Sequence, residues 1–330
     1  MKLQFTLFML AALCSGFAQT SAIVTGAGYS APAPFQAAPG QVVTLFLHGV
    51  PAAADGTLRS GQAAGTPLPT ALAGISLRVT QGQASPMVAP IFAVRQENEC
   101  GQSDASDPAC LLTAVKIEVP FELFGDITPT DTFHYTLAPA AMVRVEVDGR
   151  TGRAFPFQPI PDNAHVLTDC DVTWDTKSSS VCNRHIYHAD GRIVDEQSPV
   201  KASEAVSVYL YGLGQTSPAA QTGLESPVGA AVTDLLGHSR VAAWLQKDFY
   251  NALSSSPRAY PGPGSSPDSV PVLITSAGLF RGQVGVYQVN LTLPDVLTSA
   301  FPCGGTVHSN ALLTIATSQG SEGIALCVEQ

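Results

Sequence analysis

Three features of the sequence point to an all-β fold. Charged residues make up only 13% of the 330 positions, Gly (29) and Pro (25) are plentiful, and Val, Thr and Leu recur in short alternating runs that stop at glycine or proline. Turn-formers at this density, set between β-favouring runs, describe strands and hairpins rather than helices. Hydrophobic residues at 45% provide a core and separate the chain from disordered compositions. The length suits two sandwich domains of ordinary size.

In order, residues 1–18, "MKLQFTLFMLAALCSGFA", read as a secretory signal peptide. Lys2 precedes a short apolar run, and Gly16 and Ala18 occupy the positions a signal peptidase reads. Cleavage removes Lys2 and Cys14 and moves the formal charge from -10 to -11. An acidic exported chain lacks the basic surface that nucleic acid requires, so its charge is read as solubility. No later run is long and apolar enough for a helical membrane span.

Strands follow from alternation and from their stops. "QVVTLFLHGV" (41–50) ends at Gly49, and "ISLRVTQG" (75–82) stops at Gly82. "TAVKIEVPFEL" (113–123) sets Val115, Ile117 and Val119 on one face and Lys116 and Glu118 on the other, which reads as one buried and one wet face. "AMVRVEVDGRTG" (141–152) turns at Asp148-Gly149, a hairpin signal. The second half repeats the plan. "EAVSVYLYGLGQ" (204–215) parallels the 41–50 run, "GVYQVNLTLP" (285–294) parallels 113–120, and "NALLTIATSQGSEGIALCVEQ" (310–330) parallels the 141–152 hairpin. "SRVAAWLQKDFYNAL" (239–253) is read as a strand plus a turn, because everything around it is β.

This weak repeat predicts two tandem Ig-like β-sandwich domains, residues 19–157 and 158–330. The second carries an N-terminal disulfide-closed loop and hairpin. The seam falls after Phe155, in the proline-rich "PFQPIPDNAHV".

The segments "APGQVVTLFLHGV", "PLPTALAGISLRV", "AVKIEVPFEL", "HADGRIVDEQSPVKASEAVSVYLYGLGQTSP" and "GQVGVYQVNLTLP" resemble the extracellular module abundant in Acidobacteria and described from Solibacter. That module often forms the C-terminal region of large secreted proteins. The resemblance runs in order along nearly the whole mature chain and implies an exported, Ig-like β architecture. It brings no established activity, and the cysteines depart from the module's usual pattern.

Six cysteines remain after export. An even number in an exported chain favours disulfides over metal thiolates. They fall into three local couples, Cys100 with Cys110, Cys170 with Cys182, and Cys303 with Cys327, and short loops close most readily.

Chemistry-bearing residues cluster in "VCNRHIYHADGRIV" (181–194). Cys182, His185, His188 and Asp190 resemble a ligand set. In a strand, however, His185 and His188 are an odd number of residues apart and point to opposite faces, so they cannot share a metal. Asp190-Gly191 between two alternating runs reads as a two-residue type I′ hairpin turn. "DCDVTWD" (169–175) groups Asp169, Asp171 and Asp175, a candidate calcium loop. It lacks the EF-hand spacing and shows three oxygen donors where calcium takes six or more, so it is read as a solvated, disulfide-closed loop.

No G-x-S-x-G elbow and no H-E-x-x-H occurs. Glu118 and Glu122 are read as exposed strand and loop residues. Phe46, Tyr209 and Tyr211 are read as packing residues, while Trp174, Tyr187 and Tyr250 are candidate ligand-facing aromatics. The expectation is a secreted, non-catalytic β-sandwich protein without cofactor or metal. It would serve as an extracellular or cell-surface structural or adhesion-type module, with a cell-surface protein or glycan as partner. A carbohydrate-binding module is the alternative, and an extracellular hydrolase the third reading.

Overall fold

The computed structural model describes residues 22–27, 35–101, 107–125, 128–129, 135–136, 138–173, 183–232, 241–247, 269–297, 302–305 and 307–329. The signal-peptide segment, Trp174, Asp175, Cys182 and Tyr250 lie outside them. The fold is all-β, as expected, and its sheets are antiparallel apart from one short parallel pair.

The first group of strands is β1 (Ile23–Ala27), β2 (Gln36–Ala37), β3 (Val42–His48), β4 (Ser60–Gln62), β5 (Ala71–Leu72), β6 (Ile75–Gln81), β7 (Met87–Val88), β8 (Ile91–Asn98), β9 (Leu111–Glu118), β10 (Thr128–Pro129), β11 (Tyr135–Thr136), β12 (Ala141–Val147) and β13 (Arg150–Pro159). One sheet has the order β1-β3-β9-β8-β4, and the facing sheet has the order β2-β13-β12-β6-β5, with β7 on β6. Alternation does what it should in β6 and β12. Ile75, Leu77 and Val79 are buried, as are Val143, Val145 and Val147, while Arg78 and Arg144 point outward. These residues pack against Leu45, Leu47, Val115 and Ile117 of the other sheet in a single cluster. Each fully buried side chain of this kind contributes about 1.5–3 kcal/mol.

The second group is β14 (His165–Val166), β15 (Ile186–His188), β16 (Ala205–Tyr211), β17 (Ala242–Lys247), β18 (Ser269–Leu279), β19 (Tyr287–Thr292), β20 (Ala311–Ala316) and β21 (Ser321–Leu326). A short helix, α1 (Asp169–Thr173), precedes β15. The strands run β14-β16-β19-β18-β17-β20-β21, with β15 also on β16. β18 belongs to two layers. Its first residues, Ser269–Val272, pair with β17; from Leu273 onward it pairs with β19, and the register slips between Ile274 and Ser276. A long strand that bends at a bulge passes from one layer of a sandwich to the other. Accordingly Val208, Leu210, Val289 and Leu291 share one core with Leu245, Leu313, Ile315 and Ile324. β17 is the strand read at 239–253.

The two Asp-Gly turns differ. At Asp148-Gly149 both residues have positive φ (48° and 77°), and Val147 pairs with Arg150, which makes a two-residue type I′ hairpin. At 190–191 only Gly191 is left-handed (φ 85°). There the Gly191 N–H donates to the His188 carbonyl and the His188 N–H to Arg192, so the loop is Ala189-Asp190-Gly191. This is a three-residue turn closed by a glycine bulge, not the expected type I′ turn. The Asp190 carboxylate accepts from the Arg192 N–H at 3.1 Å and Nε at 2.7 Å, which holds the turn without positive φ at Asp190.

Two disulfides, Cys100–Cys110 and Cys303–Cys327, close local loops. Cys170 is disulfide-bonded as well, and its expected partner Cys182 lies outside the described residues.

Candidate functional site

The titratable side chains of interest gather where the two cores meet. β9 brings Lys116 and Glu118 to this junction, and it corrects the expected wet face: Glu118 is 0% exposed. The second group of strands covers the face that alternation assigns to solvent. Gly223 donates its N–H to Glu118 Oε2 at 2.5 Å, and the Leu68 N–H donates to the Gly223 carbonyl at 2.8 Å. Thr222 Oγ1 accepts from the Phe121 N–H at 2.8 Å and donates to Glu122 Oε2 at 2.5 Å. Gln215 donates to the Phe121 carbonyl, and the Phe121 ring sits in the second core. Gln41 donates to the Asn163 carbonyl, whose side chain returns a bond to Gln36.

Beside this seam lies a cleft of about 500 Å³, lined from one side by Gln62, Thr66, Phe92 and Lys116 and from the other by Asp171, Glu225 and Gln283. Its volume is that of a small-molecule pocket. The charged groups, however, are already engaged by the protein. Lys116 Nζ donates to the Asp171 carbonyl at 3.0 Å and lies 3.4 Å from Tyr211 Oη and 5.5 Å from the centre of that ring. Burial pulls its pKa down, with Asp171 opposing. Burial pushes the Tyr211 hydroxyl far up, so it stays protonated. Glu225 accepts from Thr66 Oγ1 at 2.8 Å.

Asp171 is the residue whose role the sequence reading missed. The segment is a helical turn rather than a loop, and it starts with a capping box. Thr168 Oγ1 accepts the Asp171 N–H at 3.3 Å, and the Asp171 carboxylate accepts the Thr168 N–H at 2.7 Å. The pattern Thr-x-x-Asp was present in the sequence. The same carboxylate oxygen meets His165 Nε2 at 2.9 Å. Burial raises its pKa, but the bonds from His165 and Thr168 outweigh burial and hold it low. Asp169 turns instead to His185 at 2.5 Å. The two aspartates thus meet different side chains, and Asp175 lies outside the described residues.

The two histidines of the hairpin part as strand geometry requires. The His185 ring meets Asp169, while His188 is buried and meets acceptors at both nitrogens, Glu204 Oε1 at 2.5 Å and the Ser198 carbonyl at 3.0 Å. Nε2 also meets the Ser198 hydroxyl at 3.0 Å, so Glu204 is the acceptor that favours the charged ring. Burial disfavours this charge, yet the Glu204 and Ser198 bonds overcome it and raise the pKa. Among the described residues, no three His, Cys, Asp or Glu side chains come together as a metal site.

Of the candidate aromatics, Tyr187 alone is described. It is half-buried, with its ring 5.3 Å from Tyr209 and tilted 66°, and Tyr209 meets Phe280 at 5.2 Å and 64°. Edge-to-face rings across adjacent strands are packing geometry, not a flat stacking surface.

No family model and no curated protein matches the chain, so membership in the Acidobacterial module family is not shown. Two solved structures are similar in part. The adhesin InvE of Yersinia pseudotuberculosis is 15% identical with a TM-score of 0.20; the match covers 96% of this chain and 62% of that one. The C-terminal domain of the Streptococcus agalactiae AgI/II polypeptide BspA is 8% identical with a TM-score of 0.18, covering 89% of this chain and 94% of that one. The chain thus spans less than two thirds of the first of these, and at such scores neither likeness carries weight for fold or function. No helix among the described residues is long and apolar enough to cross a membrane.

Proposed function

We propose that this protein is a non-catalytic extracellular or cell-surface module, two β-sandwiches joined as one structural unit of the adhesion type. The observation that carries this reading is the junction. Directional bonds from Gln41, Glu118, Phe121 and Glu122 on one side meet Asn163, Gln215, Thr222 and Gly223 on the other; the Glu118–Gly223 bond is buried and most of the others are partly so. A hydrogen-bonded, buried contact of this kind holds two sandwiches at a set angle, as a spacer that presents a binding surface must. Disulfides persist in oxidising compartments, which supports export. Lys116, Asp171, His188 and Glu204 are engaged in holding structure, which supports the absence of catalysis.

The carbohydrate-binding alternative is disfavoured at Tyr187 by its edge-on packing. The test is a screen of the mature protein against immobilised glycans and cell-surface proteins, run beside a panel of glycoside, ester and peptide substrates. The expected result is retention on a surface partner without turnover. Turnover of any substrate that scales with protein purity would overturn the reading.

A further inference from the structure

We propose that Glu118 is a proton-dependent latch between the two sandwiches: its neutral carboxyl closes the junction, and its ionisation releases the 222–225 loop from the β9 face.

The geometry is specific. Glu118 is wholly buried, and of its two oxygens only Oε2 has a partner, the Gly223 N–H; Oε1 has none among the described residues. A buried carboxylate normally gathers two or three donors or a cation. With a single N–H, this group is built to be neutral. The walls leave little room for adjustment. Gly285 faces Oε1, and a Cβ on it would lie 2.6 Å from Val42 Cγ2 and 2.9 Å from the Gly40 carbonyl. Gly223 packs onto Pro90 and Leu68 in the same way.

The charged groups on the surrounding elements do not relieve the site. Lys116, two residues back on β9, is turned to Asp171 and Tyr211. Glu225, on the 222–225 loop, is turned to Thr66. Arg281, at the start of the turn that carries Gly285, is exposed. Glu122, on the turn after β9, adds a like charge. Burial first, then Glu122, lifts the Glu118 pKa to about 8 against the pull of the Gly223 bond. The latch is therefore shut at neutral pH and opens in mild alkali.

Hydrogen exchange tests this on the full mature chain, with each rate divided by its intrinsic rate at that pH. The reporters are the Gly223 and Leu68 amides, and amides of β12 serve as the reference. Between pH 6.5 and 9.5 the reporters should lose protection by roughly ten-fold or more relative to β12, the scale of about one pKa unit of coupling. The midpoint should lie near pH 8. In Glu118→Gln, which keeps an acceptor for Gly223, that pH dependence should vanish. In Glu122→Gln the midpoint should move down, which keeps the test decisive if Glu118→Gln folds poorly. Reporters that stay protected to pH 9.5, or that loosen with the same profile in both variants as in the parent, would overturn the latch.

Discussion

Replacing His188 by alanine separates the structural reading of the histidine hairpin from a functional one. The ring is 6% exposed and bridges β15 to Glu204 and Ser198. A hydrogen bond to a charged partner is worth about 1.5–3 kcal/mol. Glu204 is a quarter exposed and keeps the Lys201 N–H, so water compensates part of the loss on that side. The Ser198 carbonyl loses a donor in a partly buried place. A net cost of about 2–3 kcal/mol results, and at about 2–4 °C per kcal/mol for a chain segment of this size the melting temperature should fall by roughly 5–10 °C. His185→Ala removes only a pair whose Asp169 partner is half exposed, which is worth about 0–1 kcal/mol.

The pH dependence has a definite sign. His188 has its pKa raised above 6.5, so its contribution is complete below that value and is lost as pH rises through the folded-state pKa. Glu204 is held below 4.5, so its share is present above 4.5 and lost as pH falls through its lowered value. The difference between parent and His188→Ala melts should therefore be largest between these limits and shrink in alkali. Equal melts for the two single variants near pH 6, or a His188→Ala gap that widens as pH rises above 6.5, would refute this account.

Other outcomes follow from the same structure. Gly191→Val places a β-branched residue at φ 85° in open space, so the cost is backbone strain alone; about 1–2 kcal/mol should appear in a thermal melt. Thr168→Ala removes half of the capping box and should cost about 1 kcal/mol while leaving surface binding unchanged. Replacing Cys303 and Cys327 together should lower stability by about 2–5 kcal/mol in denaturant titrations. Intact mass of exported material should show residues 1–18 removed, and a lipid adduct on Cys14 would contradict the signal-peptide reading.

Most of the longer strands were legible because their apolar runs stop at a turn residue, and in β6, β12 and β19 the buried residues alternate. β3, β6, β12, β16 and β19 lie within the runs read from alternation. Glu118 was not legible, because its burial comes from residues more than a hundred positions away, and alternation reports only one sheet's own core. The crossing of β18 between layers was missed for the same reason: its change of partner from β17 to β19 at Val272–Leu273 is set by strands distant in the sequence and leaves no mark in its own alternation. The turn at 190–191 was misassigned because Asp-Gly fits both a type I′ turn and a glycine bulge, and the side chain of Asp190 decides between them. Asp171 was legible in principle, since Thr168 stands three residues before it, but the surrounding β pattern hid a five-residue helix.

Joined as proposed, the two sandwiches form one unit with a set angle between them. Small-angle X-ray scattering of the mature protein at pH 6.5 tests it directly. A single narrow distribution of interatomic distances, unchanged between low and high salt, is expected. A broad distribution of two independently moving bodies would contradict it.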